Sequence, residues 1–226
     1  VQDIVAGGTS IVTKVFSGGD QNIIAAGTAI SATVSSGGHQ DVRSGFASVT
    51  IVSSGGKQEV YSGGTARITT IGRGGVQSID SSGVASATTI GSGGISEIQS
   101  HGTAIVTTIG AGGTQFVNSG GTTSAATVSS GGTLVVDGGG LADPTTILGH
   151  GIEMIQAQGI DSGALIKGGT QFDAGLANSG TLFTGSQVVQ SGGTANAWIV
   201  SGGTEIVASG GEAVGVLIKH GGKQIV

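Results

Sequence analysis

The chain has 226 residues, of which 48 are glycine, one is proline and none is cysteine; 9% are charged, 3% are aromatic and the net charge is −5. No cysteine means no disulfide scaffold, zinc finger or cysteine nucleophile, and the eight Lys and Arg, none of them between Arg73 and Lys167, make nucleic acid and anionic membranes poor partners. Glycine far above its ordinary share of about 7% suits a disordered chain, but 37% hydrophobic residues and a mean hydropathy of +0.31 do not.

An internal repeat organises the glycines. Units start at Gly19, Gly38, Gly56, Gly75, Gly94, Gly113, Gly132, Gly151, Gly169, Gly185, Gly203 and Gly222, spaced mostly by 18 or 19 residues and once, from Gly169, by 16. The second residue after each start is usually glutamine (Gln21, Gln40, Gln58, Gln77, Gln115, Gln171, Gln187, Gln224, with Gln2 before the first start). The fourth is aliphatic, from Ile4 and Ile23 to Val207 and Val226, with Asp173 as the exception. A second apolar column runs from Val15, Val34, Val52 and Ile71 through Ile166, Phe183 and Val200 to Ile218.

Taken in chain order, each unit predicts a short strand around x-Gln-x-Val, a Ser-Gly-Gly turn, a second strand such as Thr65–Ile71, and another glycine turn. Runs this short, rich in Val, Ile and Thr, are strands rather than helices. The period predicts an all-β, parallel β-helix (β-solenoid) of about 12 coils of 18–19 residues. The expected division is one solenoid segment over 1–226, with regular repeats over 1–136, irregular coils over 137–185 and regular repeats again over 186–226. Strand alternation puts the glutamines on the same face as the aliphatic column, so they are expected to stack as an amide ladder.

No run reaches the ~18 apolar residues of a membrane span, so this segment is not expected to insert into a membrane. Both terminal residues fall inside predicted strands, and the chain reads as part of something longer.

The third residue of each unit points the other way. It runs Asp3, Asn22, Asp41, Glu59, Ser78, Glu97, then Phe116, Val135, Met154, Phe172, Val188, Ile206, Ile225. Either the cross-section changes near residue 100 and the column turns inward, or the apolar half is a sticky edge that docks another copy or a further part of the parent protein. The acidic half, partly offset by His39, Arg43 and Lys57, is either a solvated face or half of a homotypic zipper.

Other functions have thinner support. Asp161 and Asp173 are the best pair for a polysaccharide-active β-helix enzyme, but they lack a basic or aromatic sugar platform, and no catalysis, cofactor or metal site is expected. His39, His101, His150 and His220 fall at different phases of the repeat. A threonine row (Thr33, Thr70, Thr89, Thr108, Thr127, Thr146) raises ice binding as a remote alternative.

Laid out as Ser54-Gly-Gly-Lys-Gln-Glu-Val-Tyr-Ser-Gly-Gly-Thr-Ala-Arg-Ile-Thr-Thr-Ile71, the unit resembles those of AIDA-type autotransporter adhesins, most clearly over residues 1–136. The resemblance implies a right-handed β-helix passenger on the surface of a Gram-negative bacterium, carried there by an outer-membrane anchor. It implies cell–cell autoaggregation with copies on neighbouring cells, or attachment to a host surface; a stalk that holds a distal adhesive tip is the alternative. It also implies a heptosyltransferase as modifying partner, with Ser62, Ser119 and Ser191 beside glycine turns as acceptor candidates.

Overall fold

The computed structural model describes residues 1–226 as 35 short strands and no helix. Every pairing between strands is parallel and joins one coil to the next, as where Lys57–Val60 lies between His39–Val42 and Val76–Ile79 with Gln40, Gln58 and Gln77 in register. First and third strands of the coils form one sheet of 23 strands, and second strands form another of 12. The solenoid expected from the period is therefore the fold.

A regular coil has three strands and three corners. Thr65–Ile71, expected as one strand, is two, Thr65–Arg67 and Thr70–Ile71, bent at Ile68 with φ of 54°. The same corner is taken in the left-handed region by Val12, Ser31, Val49, Ala87, Val106 and Ala125, and by glycine at Gly163 and Gly215, so glycine marks it in only a few coils of the sequence. Stacked amides hold it instead, for example Ile68 N donating to Ser86 O at 3.0 Å and Val106 N to Ser124 O at 2.8 Å. Glycine is obligatory at the other corners because coils approach closely there: a Cβ on Gly64 would lie 2.1 Å from Val42 O.

The core is a set of ladders along the axis. Ile23, Val42, Val60, Ile79, Ile98, Val117 and Val136 stack on the first strands, Ala29, Ala47, Ala66, Ala85 and Ala104 on the second, and Val34, Val52, Ile71, Ile90 and Ile109 on the third, all at 1% exposure or less. Each such Val or Ile contributes roughly 1.5–3 kcal/mol on burial, so the stack holds collectively what one coil cannot. One member of the third ladder differs from expectation. Leu182 is the buried residue, paired with Ile166 and Val200, and Phe183 faces out with 44% exposure.

That shift comes from the shortened unit. Leu165–Asp173 and Thr181–Val189 run as continuous nine-residue strands where other coils turn, with register shifts at Leu148 and Lys167. The corner after Asp173 is also short, since Asp161 pairs with Ala177. Asp173 takes over part of the turn: its Oδ1 accepts from Gly175 N at 3.0 Å, a side chain standing in for a backbone acceptor. This explains an acid in an aliphatic column.

Candidate functional site

The third-residue column does not turn inward. Its register is unbroken from Asp3–Asn22 through Glu97–Phe116 to Ile206–Ile225, and no member after Glu97 is buried, with Met154 at 37% and Ile225 at 42% exposure. Of the two readings the sequence left open, a changed cross-section that turns the column inward is overturned. Alternation decides this, because Gln115 and Val117 on either side of Phe116 are both fully buried.

The two halves differ in chemistry. In the first, Asn22 Nδ2 donates to Asp3 Oδ1 at 2.7 Å, Arg43 pairs with Asp41 at 3.0 Å while lying 4.4 Å over the Tyr61 ring, and Lys57 pairs with Glu59 at 2.7 Å. Burial raises the Asp41 carboxyl, with Arg43 opposing and Glu59 adding to it. Burial acts on Glu59 the same way, but hydrogen bonds from Lys57 and Tyr61 hold it below its usual value. Glu97 receives Gln99 Nε2 at 3.4 Å. In the second half Phe116, Val135, Met154 and Phe172 stack with no charge among them, and Met154, Phe172, Gln156 and Gln190 border an open depression of ≈ 340 Å³.

Behind this face runs the amide ladder. Gln21, Gln40, Gln58 and Gln77 each donate from Nε2 to the preceding coil's glutamine Oε1 at 2.7 Å. Thr50, Thr69 and Thr88, from the third strand's side, donate to Gln40, Gln58 and Gln77 at 3.1–3.2 Å. The ladder breaks at Ser96, Leu134, Glu153 and Glu205, all fully buried. Sequence reasoning found the glutamines and missed the bracing threonines, although their 19-residue spacing was there to read.

Asp161 and Asp173, the enzymatic candidates, are both wholly buried and cannot meet a polysaccharide from solution. Burial raises Asp173 to about 7 against the pull of its backbone bonds to Gly175 and Ala177. The threonine row lies along the outward side of the third strands but is interrupted at Ile51. Ser62, Ser119 and Ser191 occupy one exposed corner, each followed by a left-handed glycine, and Ser44, Ser81, Ser100 and Ser209 fall at that same corner.

Residues 38–94 match the family model described as adhesin of bacterial autotransporter system, probable stalk. Among solved structures, the crystal structure of a TibC-catalysed, hyper-glycosylated TibA fragment superposes with a TM-score of 0.93 at 34% identity, covering 99% of this chain and 90% of that one. The chain belongs to the AIDA-type autotransporter adhesin passengers. No match was found among curated protein sequences. An AIDA-type passenger is extracellular and lies at the cell surface, and its fold and family are those of a structural, adhesive protein.

Proposed function

We propose that this passenger mediates cell–cell autoaggregation through its outward third-residue column. What carries the reading is one row in unbroken register, buried only at Ser78, in which Asp3, Asn22, Asp41, Glu59 and Glu97 supply polar and ionic contacts, and Phe116, Val135, Met154 and Phe172 supply apolar ones. Each exposed ion pair is worth only ~0–1 kcal/mol, but contacts repeated at every coil along two rods on neighbouring cells add by multivalency. Anchoring in the outer membrane would present the rod to those cells. With residues 1–226 displayed on a non-clumping bacterium, sedimentation should follow expression. Phe116→Ser with Phe172→Ser, and separately charge reversal at Asp41 and Glu59, should slow it. Clumping unchanged by both sets would overturn the reading.

A second reading is a stalk that presents a distal adhesive part, favoured by the stalk description of the family model over residues 38–94. On that reading the displayed segment alone leaves cells dispersed. Modification by a heptosyltransferase is proposed for Ser62, Ser119 and Ser191, on the grounds that the TibA fragment is glycosylated and that these hydroxyls are exposed at one corner. Intact mass of the exported chain checks this: regular increments that fall when the three serines become alanine support it, and a mass equal to the bare chain refutes it.

A further inference from the structure

In the coil that begins at Gly151, two acids face inward. Glu153 stands in the glutamine column, paired with Leu134 and Gln171, and Asp161 stands in the alanine column between Ala142 and Ala177. Both are fully buried. Gln171 Nε2 donates to Glu153 Oε2 at 2.9 Å and to Asp161 Oδ2 at 3.2 Å, which uses both hydrogens of that amide. Glu153 Oε1, Asp161 Oδ1 and the hydroxyl of Thr145, itself fully buried, are left with no partner.

The donors do not suffice. A threonine hydroxyl has one hydrogen, so one of the two remaining carboxylate oxygens stays bare whichever way Thr145 turns. Leu134 supplies nothing. None of the three surface depressions is lined by Glu153, Asp161 or Thr145. No Lys, Arg or His side chain is buried, and the one other titratable group acting on the pair is Asp173, an acid in the next coil.

We propose that Glu153 and Asp161 share a resident proton as a carboxylic acid–carboxylate pair, and that the middle of the rod is braced across its first and second strands only while that proton is held. The proton turns one acid into a donor to the other or to Thr145, which removes the shortage. Its loss places two like charges around one amide nitrogen inside the core. Burial raises both acids in the fold, and Glu153 raises Asp161 further. An acid raised in the folded state contributes stability that is full below its unfolded value near pH 4 and declines as pH rises toward its folded value. The rod is thus tightest below about pH 4 and loosens at this coil as pH rises toward the folded value, about 7 for Glu153.

Difference infrared spectra of the 226-residue chain against Glu153→Gln with Asp161→Asn should show a protonated-carboxyl C=O band at about pH 6 that the double variant lacks. Hydrogen exchange resolved by peptide, corrected for intrinsic rates, should show protection over 145–175 falling about tenfold more between about pH 5 and pH 8 than over 58–79, with most of that difference gone in the double variant. Asp161→Ala, which restores the column's ordinary residue, serves if the double variant misfolds. No carboxyl band, or equal pH dependence in both segments, overturns the proposal.

Discussion

Trp198 occupies the space that Gly180 leaves empty one coil away: a Cβ on Gly180 would lie 2.3 Å from the indole ring. The indole is fully buried and its Nε1 donates to Ala177 O at 3.0 Å, so a single tryptophan closes the core where the shortened coil meets the regular ones. Glycine at 180 and tryptophan at 198 are one feature, and neither is explained alone.

Gly180→Ala should therefore be among the costliest single substitutions in the chain, and Trp198→Ala should cost about 3–5 kcal/mol through the cavity it leaves. Because the two sites touch, Gly180→Ala combined with Trp198→Leu should cost less than the sum of the separate changes. Thermal unfolding of Gly180→Ala, Trp198→Leu, their combination and Trp198→Ala, followed by circular dichroism, checks this; strict additivity of the first two would refute it.

The left-handed corner predicts a gain. Ile68 and Val49 are β-branched residues at φ of 54° and 57°, a conformation that costs an L-residue ~1–2 kcal/mol. Replacement by glycine gives back roughly 0.5–1 kcal/mol of that in chain entropy. Ile68→Gly should be neutral or stabilising by up to about 1 kcal/mol, and a destabilisation beyond that in denaturant titration would show that packing at the corner outweighs backbone strain.

The amide ladder predicts an unequal pair. Gln58 is bonded to Gln40, Gln77 and Thr69, whereas Gln115 lies between Ser96 and Leu134 and bonds only to Thr107 and Thr123. Leucine fits the column, as Leu134 demonstrates, so volume is not the issue. Gln58→Leu orphans more buried groups at ~1–3 kcal/mol each and should lower the thermal midpoint more than Gln115→Leu does.

Glu205 is a repairable break. Gln224 Nε2 donates to its Oε2 at 2.7 Å, while Glu205 Oε1 and Gln187 Oε1 are buried without partners. An amide at 205 would donate to Gln187 and still accept from Gln224, as glutamines do elsewhere in the ladder. Burial raises Glu205, so its stability contribution is full in acid and falls as pH rises through the folded value. Glu205→Gln should be nearly neutral near pH 4 and stabilising by about 1 kcal/mol or more near pH 8; a gain independent of pH would refute the role of charge.

Much of the fold was legible because repetition removes ambiguity. Gly-Gly spacing, the glutamine column and the aliphatic columns each demanded stacking, and all three agreed on one register. Phe183 was misassigned because the corner from Asp173 to Ala177 is two residues shorter than the next coil's corner from Val189 to Ala195, which moves the inward position to Leu182 and reverses which side chain is buried. The middle corner was invisible because left-handed Ile68 and Val106 break the rule by which glycine marks such turns.

The sequence alone determined the parallel solenoid, its coil number, its glutamine ladder and, apart from Phe183, its two aliphatic ladders, since residues repeated at a fixed period satisfy one another only by stacking on their own copies. Only the tertiary structure decided which way the column from Phe116 to Ile225 faces, and that Glu153 and Asp161 meet at Gln171. These depend on atoms of adjacent coils and on corners of unequal length, and a linear pattern carries neither distance nor direction across the stack.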